Sequence, residues 1–480
     1  MTSSSPRRYD VAIIGGGAAG LVTAVGSARL GTRVALIERD RLGGECLWTG
    51  CVPSKALLRS AEAAHDMRRG SDFGLGDIAM EPQFDRVMAS MRRVIARIQP
   101  RDDPERFRAM GVDVIKGSAE LTAPGQVRVD GKELEARRVV IATGSRPVVP
   151  PIDGLGSVGH LTHESILELE RRPARLLILG AGPVGLEFAQ IFARLGSHVT
   201  VVEMAPTILP REDAEVAERL RACLEAEGIR FRLAARAVAA LRTDAGKALD
   251  LMGADGRRSR VVGEAILVAT GMRPSTAGLG LEAVGAELDD RGAVRVDSSL
   301  RTTASSVWAA GDVTGVLFFT HVADYQARLV VRNMFFPIPG KADYGRVPWA
   351  TYTDPTLARV GLTEAEARDR HGDRVGIYRA ELDDLDRAIT DRTDRGMVKL
   401  VTDRPGRLLG AHILARHADA LIHEPALAMR TGTRIGGLSQ MVHAYPTLPE
   451  AIRKAADSYY GEKFDSTWIG KLLRWWARRS

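Results

Sequence analysis

Two cysteines stand five positions apart in Gly43-Gly44-Glu45-Cys46-Leu47-Trp48-Thr49-Gly50-Cys51-Val52-Pro53-Ser54-Lys55, in a chain of 480 residues with only three cysteines. Paired thiols can carry dithiol–disulfide exchange. A straight α-helix would set such residues roughly 7.5 Å apart along its axis, whereas a disulfide needs Cα atoms within roughly 7 Å. A bridge therefore requires an irregular turn between them, and Gly50 can supply the flexibility. Metal binding fits less well, because no second Cys or His pair with zinc spacing lies nearby; no metal site is expected. Exchange needs a thiolate, and free cysteine titrates near 8.5 unless cations or a helix N-terminus lower it (about that value in model peptides). Pro53 fits a helix start, and Lys55 adds positive charge one turn on.

Two further constellations frame the thiols. Val11-Ala12-Ile13-Ile14 runs into Gly15-Gly16-Gly17-Ala18-Ala19-Gly20, and Leu176-Leu177-Ile178-Leu179 runs into Gly180-Ala181-Gly182-Pro183-Val184-Gly185. Each is an apolar strand, a glycine fingerprint and a helix, followed by a second β run ending in an acid, Glu38 or Glu203. The glycines permit a tight turn, backbone approach to a pyrophosphate and close helix packing, and the helix N-terminus attracts phosphate charge. One fingerprint is weak evidence. Two copies, each with its acid about 20 residues on, read as a duplicated βαβ unit and hence two doubly wound nucleotide-binding domains. Glu203 suits the ribose hydroxyls of NAD and repels the 2′-phosphate of NADP. Met204, Ala205 and Pro206 follow it with no arginine, so NADH is favoured over NADPH.

Each unit closes on a similar phrase, Ala142-Thr143-Gly144-Ser145-Arg146-Pro147 and Ala269-Thr270-Gly271-Met272-Arg273-Pro274. After the second comes Val307-Trp308-Ala309-Ala310-Gly311-Asp312, an apolar strand with a carboxylate at its C-terminal end, where α/β sheets bind ligands. The expected fold class is α/β, with two Rossmann-like domains and a third, C-terminal α+β domain. The expected boundaries are 1–150 and 278–346 for the first nucleotide-binding domain, 151–277 for the second, 347–462 for the third domain and 463–480 for a basic tail.

Composition agrees with a soluble globular protein, at 45% hydrophobic and 26% charged residues. No run of eighteen apolar residues exists, so no transmembrane helix is expected. The polar start lacks the apolar core of a signal peptide, and three cysteines cannot form a secreted disulfide framework. These features point to the cytoplasm. The net charge of +7 reads as arginine-rich composition, since no nucleic-acid motif accompanies it.

Together these phrases resemble the class I pyridine nucleotide-disulfide oxidoreductases over residues 8 to about 462. Within that group the chain is similar to dihydrolipoamide dehydrogenase, mercuric reductase and soluble transhydrogenase. The resemblance implies FAD on the first Rossmann unit, a nicotinamide dinucleotide on the second, and a homodimer with the third domain, 347–462, as its interface/dimerisation domain. It implies FAD-binding roles for Gly15, Gly17, Gly20, Glu38, Gly44, Thr143, Gly144 and Asp312. Gly180, Gly182, Gly185, Glu203 and Gly271 would serve the nicotinamide dinucleotide. Lys55 would lie near the flavin, paired with Glu187. Cys51 would be the flavin-side thiol and Cys46 the thiol facing the acceptor, the pair cycling through a disulfide.

The chain also departs from that pattern. Dihydrolipoamide dehydrogenases and glutathione reductases carry His-Pro-Thr near the C-terminus, with a glutamate five residues after the histidine, whereas mercuric reductase and soluble transhydrogenase resemble this chain in having tyrosine there. Here His443-Ala444-Tyr445-Pro446-Thr447-Leu448-Pro449-Glu450 places Tyr445 at the base position and Glu450 behind it. Tyrosine, titrating near 10 (roughly, when unperturbed), is a poor base at neutral pH. His443 then reads as a packing histidine and Cys223 as a small core hydrophobe. The acceptor stays open among a disulfide, a mercuric or other soft metal ion, and a quinone. A quinone reductase or transhydrogenase with secondary cysteines is one rival, and a redox-responsive docked flavoprotein another. Residues 468–480 form an amphipathic basic segment, with Trp468, Leu472, Trp475 and Trp476 on one face and Lys471, Arg474 and Arg478 opposite. Such a segment docks on a membrane or a protein partner, or packs on the dimer itself.

Overall fold

The structure, a computed structural model, describes residues 7–76, 80–466 and 468–479. The fold is mixed α/β, in two compact units. The first gathers residues 7–63, 80–173 and 265–342, and the second 64–76, 174–264 and 343–479.

A five-stranded parallel sheet organises the first unit. Its strands lie in the order Val307–Ala309, Val139–Ile141, Val11–Ile14, Val34–Glu38, Val112–Lys116. Side chains alternate across a strand. Val11, Ile13, Val34, Leu36 and Val140 accordingly face one buried cluster, and Ala12, Ile14, Ala35, Ile37 and Ile141 face another. Burial on both faces explains why these strands read as unbroken apolar runs. The helices Ala18–Ala28 and Thr320–Phe335 cover the first face, where a Cβ on Gly26 would stand only 3.1 Å from a Val331 methyl. A smaller sheet of Arg7–Tyr9, Lys132–Ala136, Gln126–Val129 and Ala119–Ala123 supports the other.

Three parallel strands, Arg175–Leu179, His198–Val202 and Arg230–Arg232, begin the second unit, with the helix Pro183–Arg194 after the first. An antiparallel meander of Ala235–Thr243, Gly246–Gly253 and Arg258–Gly263 follows. The C-terminal part is a five-stranded antiparallel sheet in the order Pro348–Thr351, Thr356–Gly361, Leu408–Ala415, Met397–Asp403, Val375–Glu381. Val360, Val398, Leu400, Ala411 and Ile413 from this sheet pack with Ile452, Ala455 and Ala456 of the helix Glu450–Ser466.

Candidate active site and dinucleotide loops

The first glycine loop is built by steric exclusion. Gly15 has φ +111°, and a Cβ there would collide with the Ala142 carbonyl; a Cβ on Gly20 would collide with the Gly15 carbonyl. The helix Ala18–Ala28 starts at Gly17 with no side-chain cap, so its first amide N–H groups are open to an anion. Glu38 ends its strand beside the loop. Its carboxylate accepts the Gly16 amide at 2.6 Å and the Asp40 amide at 2.7 Å. The second loop repeats this geometry. Gly180 has φ +105°, the helix starts at an uncapped Gly182, with Gly185 buried in it, and Glu203 accepts the Ala181 amide at 2.8 Å and the Ala205 amide at 2.9 Å. In both copies the acid holds the amide that follows the first glycine.

Cys46 lies in the short helix Gly44–Trp48, and Cys51 opens the helix Cys51–Arg68. The break between them is the irregular turn that the spacing demands. Gly50 is needed there for room, since a Cβ would sit 3.0 Å from the Glu45 carbonyl oxygen, while its own amide bonds that carbonyl at 2.6 Å. Pro53 falls in the first turn, where its missing N–H removes no helix bond. A Cβ on Gly44 would come within 2.7 Å of the Gly17 Cα, so the cysteine segment starts pressed against the dinucleotide loop.

Both cysteines are free thiols in this structure. Cys51 Sγ lies 3.3 Å from the Thr320 hydroxyl. The Cys46 thiol is pushed well above its ordinary range, first by its hydrogen bond with Cys51, then by burial and by the charge of Cys51; Thr320 and the Lys55 ammonium pull it down by less. The hydrogen bond with Cys51 and burial thus both favour the protonated form of Cys46.

Asp312 follows Gly311, whose φ is +85°. Burial lifts its carboxyl to about 6, against the Ser145 hydroxyl that donates to it at 2.7 Å; the charges of Glu45 and Cys51 raise it further. Gln326 fixes the approach by accepting the Gly311 amide at 2.6 Å. Thr143 donates to the Ser275 carbonyl at 2.7 Å, and Gly144 accepts the Ser275 amide at 2.9 Å. The Gly271 carbonyl accepts the Val148 amide at 2.9 Å, so the two closing phrases pair as the antiparallel strands Ser145–Pro147 and Met272–Pro274.

The remaining sequence candidates divide. Glu187 is buried, and its carboxylate accepts the Tyr352 amide at 3.0 Å. Tyr445 is 71% exposed and donates to Asp386 at 2.6 Å, a bond that holds its phenol above the ordinary value. Glu450 is buried at the start of its helix, 3.3 Å from the Thr447 amide and from Arg453. His443 Nε2 lies 3.2 Å from Glu424 instead, with its side chain almost wholly buried. Cys223 is half-buried, and burial pushes its thiol up.

Thr320, Gln326, Asp386 and Glu424 were not legible as partners, since each is remote in sequence from the group it serves. So was His163, a buried histidine whose Nε2 stands 3.0 Å from Glu45 Oε1, off hydrogen-bond alignment. Ser145 alone carried a signal, standing within the first closing phrase. Among the described residues no group of His, Cys, Asp or Glu gathers as a metal site, and no helix is long and apolar enough to cross a membrane.

Comparison with known proteins gives this geometry its context. Residues 9–327 match the pyridine nucleotide-disulphide oxidoreductase model, and 347–456 match the dimerisation domain of the same family. The chain belongs to this family. It is 38% identical to a mercuric reductase of Streptomyces lividans, covering 94% of this chain and 96% of that one. A dihydrolipoyl dehydrogenase of Thermus scotoductus is 35% identical, over 95% and 98%. Among solved structures, the HOCl-induced flavoprotein disulfide reductase RclA of Escherichia coli, in its Cu(II) complex, superposes with a TM-score of 0.85 at 30% identity, over 94% of this chain and 99% of that one. LpdA of Mycobacterium tuberculosis gives 0.84, at 30% identity and the same coverage. The protein is therefore an FAD-dependent enzyme of a family that uses pyridine nucleotides, and the dimerisation domain supports a homodimer.

The residues present fit a flavin dinucleotide. The uncapped helix start answers a pyrophosphate, the side-chain-free Gly15 and Gly20 allow close backbone approach, and Asp312 is a half-buried carboxyl beside the Ser145 hydroxyl, suited to accept hydrogen bonds from the hydroxyl groups of a polyol chain.

Proposed function

We propose that the protein is an NADH-dependent reductase that passes two electrons to the Cys46/Cys51 pair and on to an acceptor disulfide. The observation that carries this reading is the thiol pair itself, placed on a broken helix against the dinucleotide loop. Gly15, Gly17, Gly20, Glu38, Gly44, Thr143, Gly144 and Asp312 would hold FAD, with Lys55 beside its ring. Gly180, Gly182, Gly185, Glu203 and Gly271 would serve NADH. When bound, FAD accepts a hydride's two electrons from NADH and makes them available to a disulfide.

The chain's own chemistry starts from the dithiol, with the proton of Cys46 the one held more tightly. Cys46 gives up that proton and its thiolate attacks the acceptor S–S bond, forming a mixed disulfide and releasing one thiolate, which takes up a proton. Cys51 then attacks Cys46, so the Cys46–Cys51 bond forms and the second acceptor thiolate leaves and is protonated. The acceptor gains two electrons and two protons, and the pair loses them. Restoring the dithiol consumes one NADH and one proton. Thr320 and Lys55 steady the charge on Cys51 between steps. A soft metal ion bound by both thiolates is the second reading, supported by the resemblance to mercuric reductases.

The experiment compares nucleotides and acceptors. NADH should exceed NADPH in kcat/KM by about ten-fold or more, or ~1.4 kcal/mol of discrimination at Glu203. Cys46→Ser should abolish disulfide reduction while leaving reduction of an artificial dye. Equal use of both nucleotides, or disulfide turnover that survives Cys46→Ser, contradicts the proposal.

A further inference from the structure

We propose that the C-terminal helix docks the enzyme on an anionic lipid surface. The inference stands apart from the identity of the acceptor. The helix Trp468–Ala477 follows the helix Glu450–Ser466 almost directly. Two features tie it to the end of that helix. Gly470 sits where a Cβ would collide with the Phe464 carbonyl, and the Arg474 guanidinium lies 5.0 Å over the Phe464 ring. A ten-residue helix is marginal alone in water, and these contacts fix which side it turns outward.

The outward side is apolar. Trp468 is 72% exposed, Leu472 50%, Trp475 50% and Trp476 68%. At 3.6 residues per turn these four span an arc of about 100°. Three of the chain's six tryptophans lie on it. Lys471, Arg474 and Arg478 fall to one side of that arc rather than opposite it, as the step of about 100° per residue requires, and the Arg479 guanidinium stacks 3.9 Å from the Trp475 ring at its rim. Residues 468–480 hold these four cations and no acid. A helix of this length rises about 15 Å, half the ~30 Å hydrocarbon core, so it lies in the interface plane. Indole rings favour headgroup depth, and Lys and Arg beside them meet anionic headgroups. Exposed tryptophans on a segment whose charged residues are all cations complement a surface that is apolar beneath and negative above.

The test is co-sedimentation of the full-length, FAD-loaded protein with vesicles of phosphatidylcholine or of equal parts phosphatidylcholine and phosphatidylglycerol. The expected result is a bound fraction ratio about ten-fold or more higher on the anionic vesicles, falling as salt is raised. The double variants Trp475→Ser/Trp476→Ser and Lys471→Gln/Arg478→Gln should each lower it about ten-fold, with NADH-dependent dye reduction unchanged as proof of folding. Absent binding to anionic vesicles, or binding equal in wild type and both variants, overturns the proposal. So does a change of oligomeric mass in the tail variants by light scattering, which would place the helix against a second copy of the chain. Retention of the wild type by an acidic protein surface but not by vesicles also overturns it.

Discussion

Asp312 holds the clearest tension at the level of single residues. A carboxyl lifted from 3.8 to about 6 by burial binds its proton more tightly folded than unfolded. Its contribution to stability is therefore full below pH 3.8 and lost as pH rises through 6; ionised at neutral pH, it costs the apoprotein about 3 kcal/mol. Hydroxyl donors from a bound flavin's polyol chain would relieve that cost, which makes the residue a binding group held at the expense of the empty fold. Asp312→Asn keeps an acceptor for Ser145 and removes the charge. It should raise the apoprotein's thermal midpoint at pH 7.5 by about 2 °C or more and weaken flavin retention on gel filtration. A lower midpoint with unchanged flavin content would contradict the assignment. The thiols meet a similar constraint, because the hydrogen bond with Cys51 and burial hold the proton on Cys46. Cys46 must therefore find a proton acceptor before it can act as nucleophile.

That requirement leads to the elements that carry acid–base groups. Tyr445 stands five residues before Glu450, and its bond to Asp386 moves its phenol further from neutrality. Lipoamide and glutathione disulfide should be poor acceptors for this enzyme. Tyr445→His should raise their turnover by about ten-fold or more, because general acid–base groups typically contribute 10²–10⁴-fold. Wild-type turnover of lipoamide on the order of 10–10³ per second would refute this and turn attention to His443 with Glu424. The elements also show what was legible in the sequence. Glycines, apolar runs and terminal acids were readable because each has a local cause: positive φ, two-sided burial and a fixed strand-to-loop distance. The matching amide bonds of Glu38 and Glu203 bear out the duplicated arrangement of loop and acid. Thr320 against Cys51, and His163 against Glu45, were invisible because tertiary packing alone joins them.

At the scale of the molecule, stability rests partly on charges buried in the second unit. Lys399, 2% exposed, lies 2.8 Å from Asp213, 2.9 Å from Glu215 and 2.8 Å from Glu364. Such a cluster resists the loss of any one member more than it stabilises the whole. His412 lies within its field, fully buried, with Nε2 3.0 Å from the Leu362 carbonyl. Burial lowers its imidazole from 6.5 to about 4; Asp213 opposes the shift, and Arg359 and Lys399 add to it. The neutral ring's contribution is intact above pH 6.5 and lost as pH falls toward 4, amounting to about 3 kcal/mol in full. His412→Gln keeps a donor for Leu362 without titrating. Its thermal midpoint should fall less than the wild type's between pH 7 and pH 5, and parallel curves would show that other groups set the acid limit. None of this cluster was readable beforehand, because lysine and histidine on a strand give no signal of burial until their carboxylate neighbours are placed.

The central claim is that electrons from NADH come to rest on Cys46 and Cys51. The direct measurement is an anaerobic titration of the purified flavoprotein with NADH, quenched with an alkylating agent and read by peptide mass spectrometry. The account predicts that Cys46 and Cys51 change together from protected to alkylated as about one equivalent of NADH is consumed per subunit, as a two-electron disulfide requires, while Cys223 does not change. Bleaching of the flavin with no change at Cys46 or Cys51 would contradict it, and would make the thiols bystanders to a reaction that ends at the flavin.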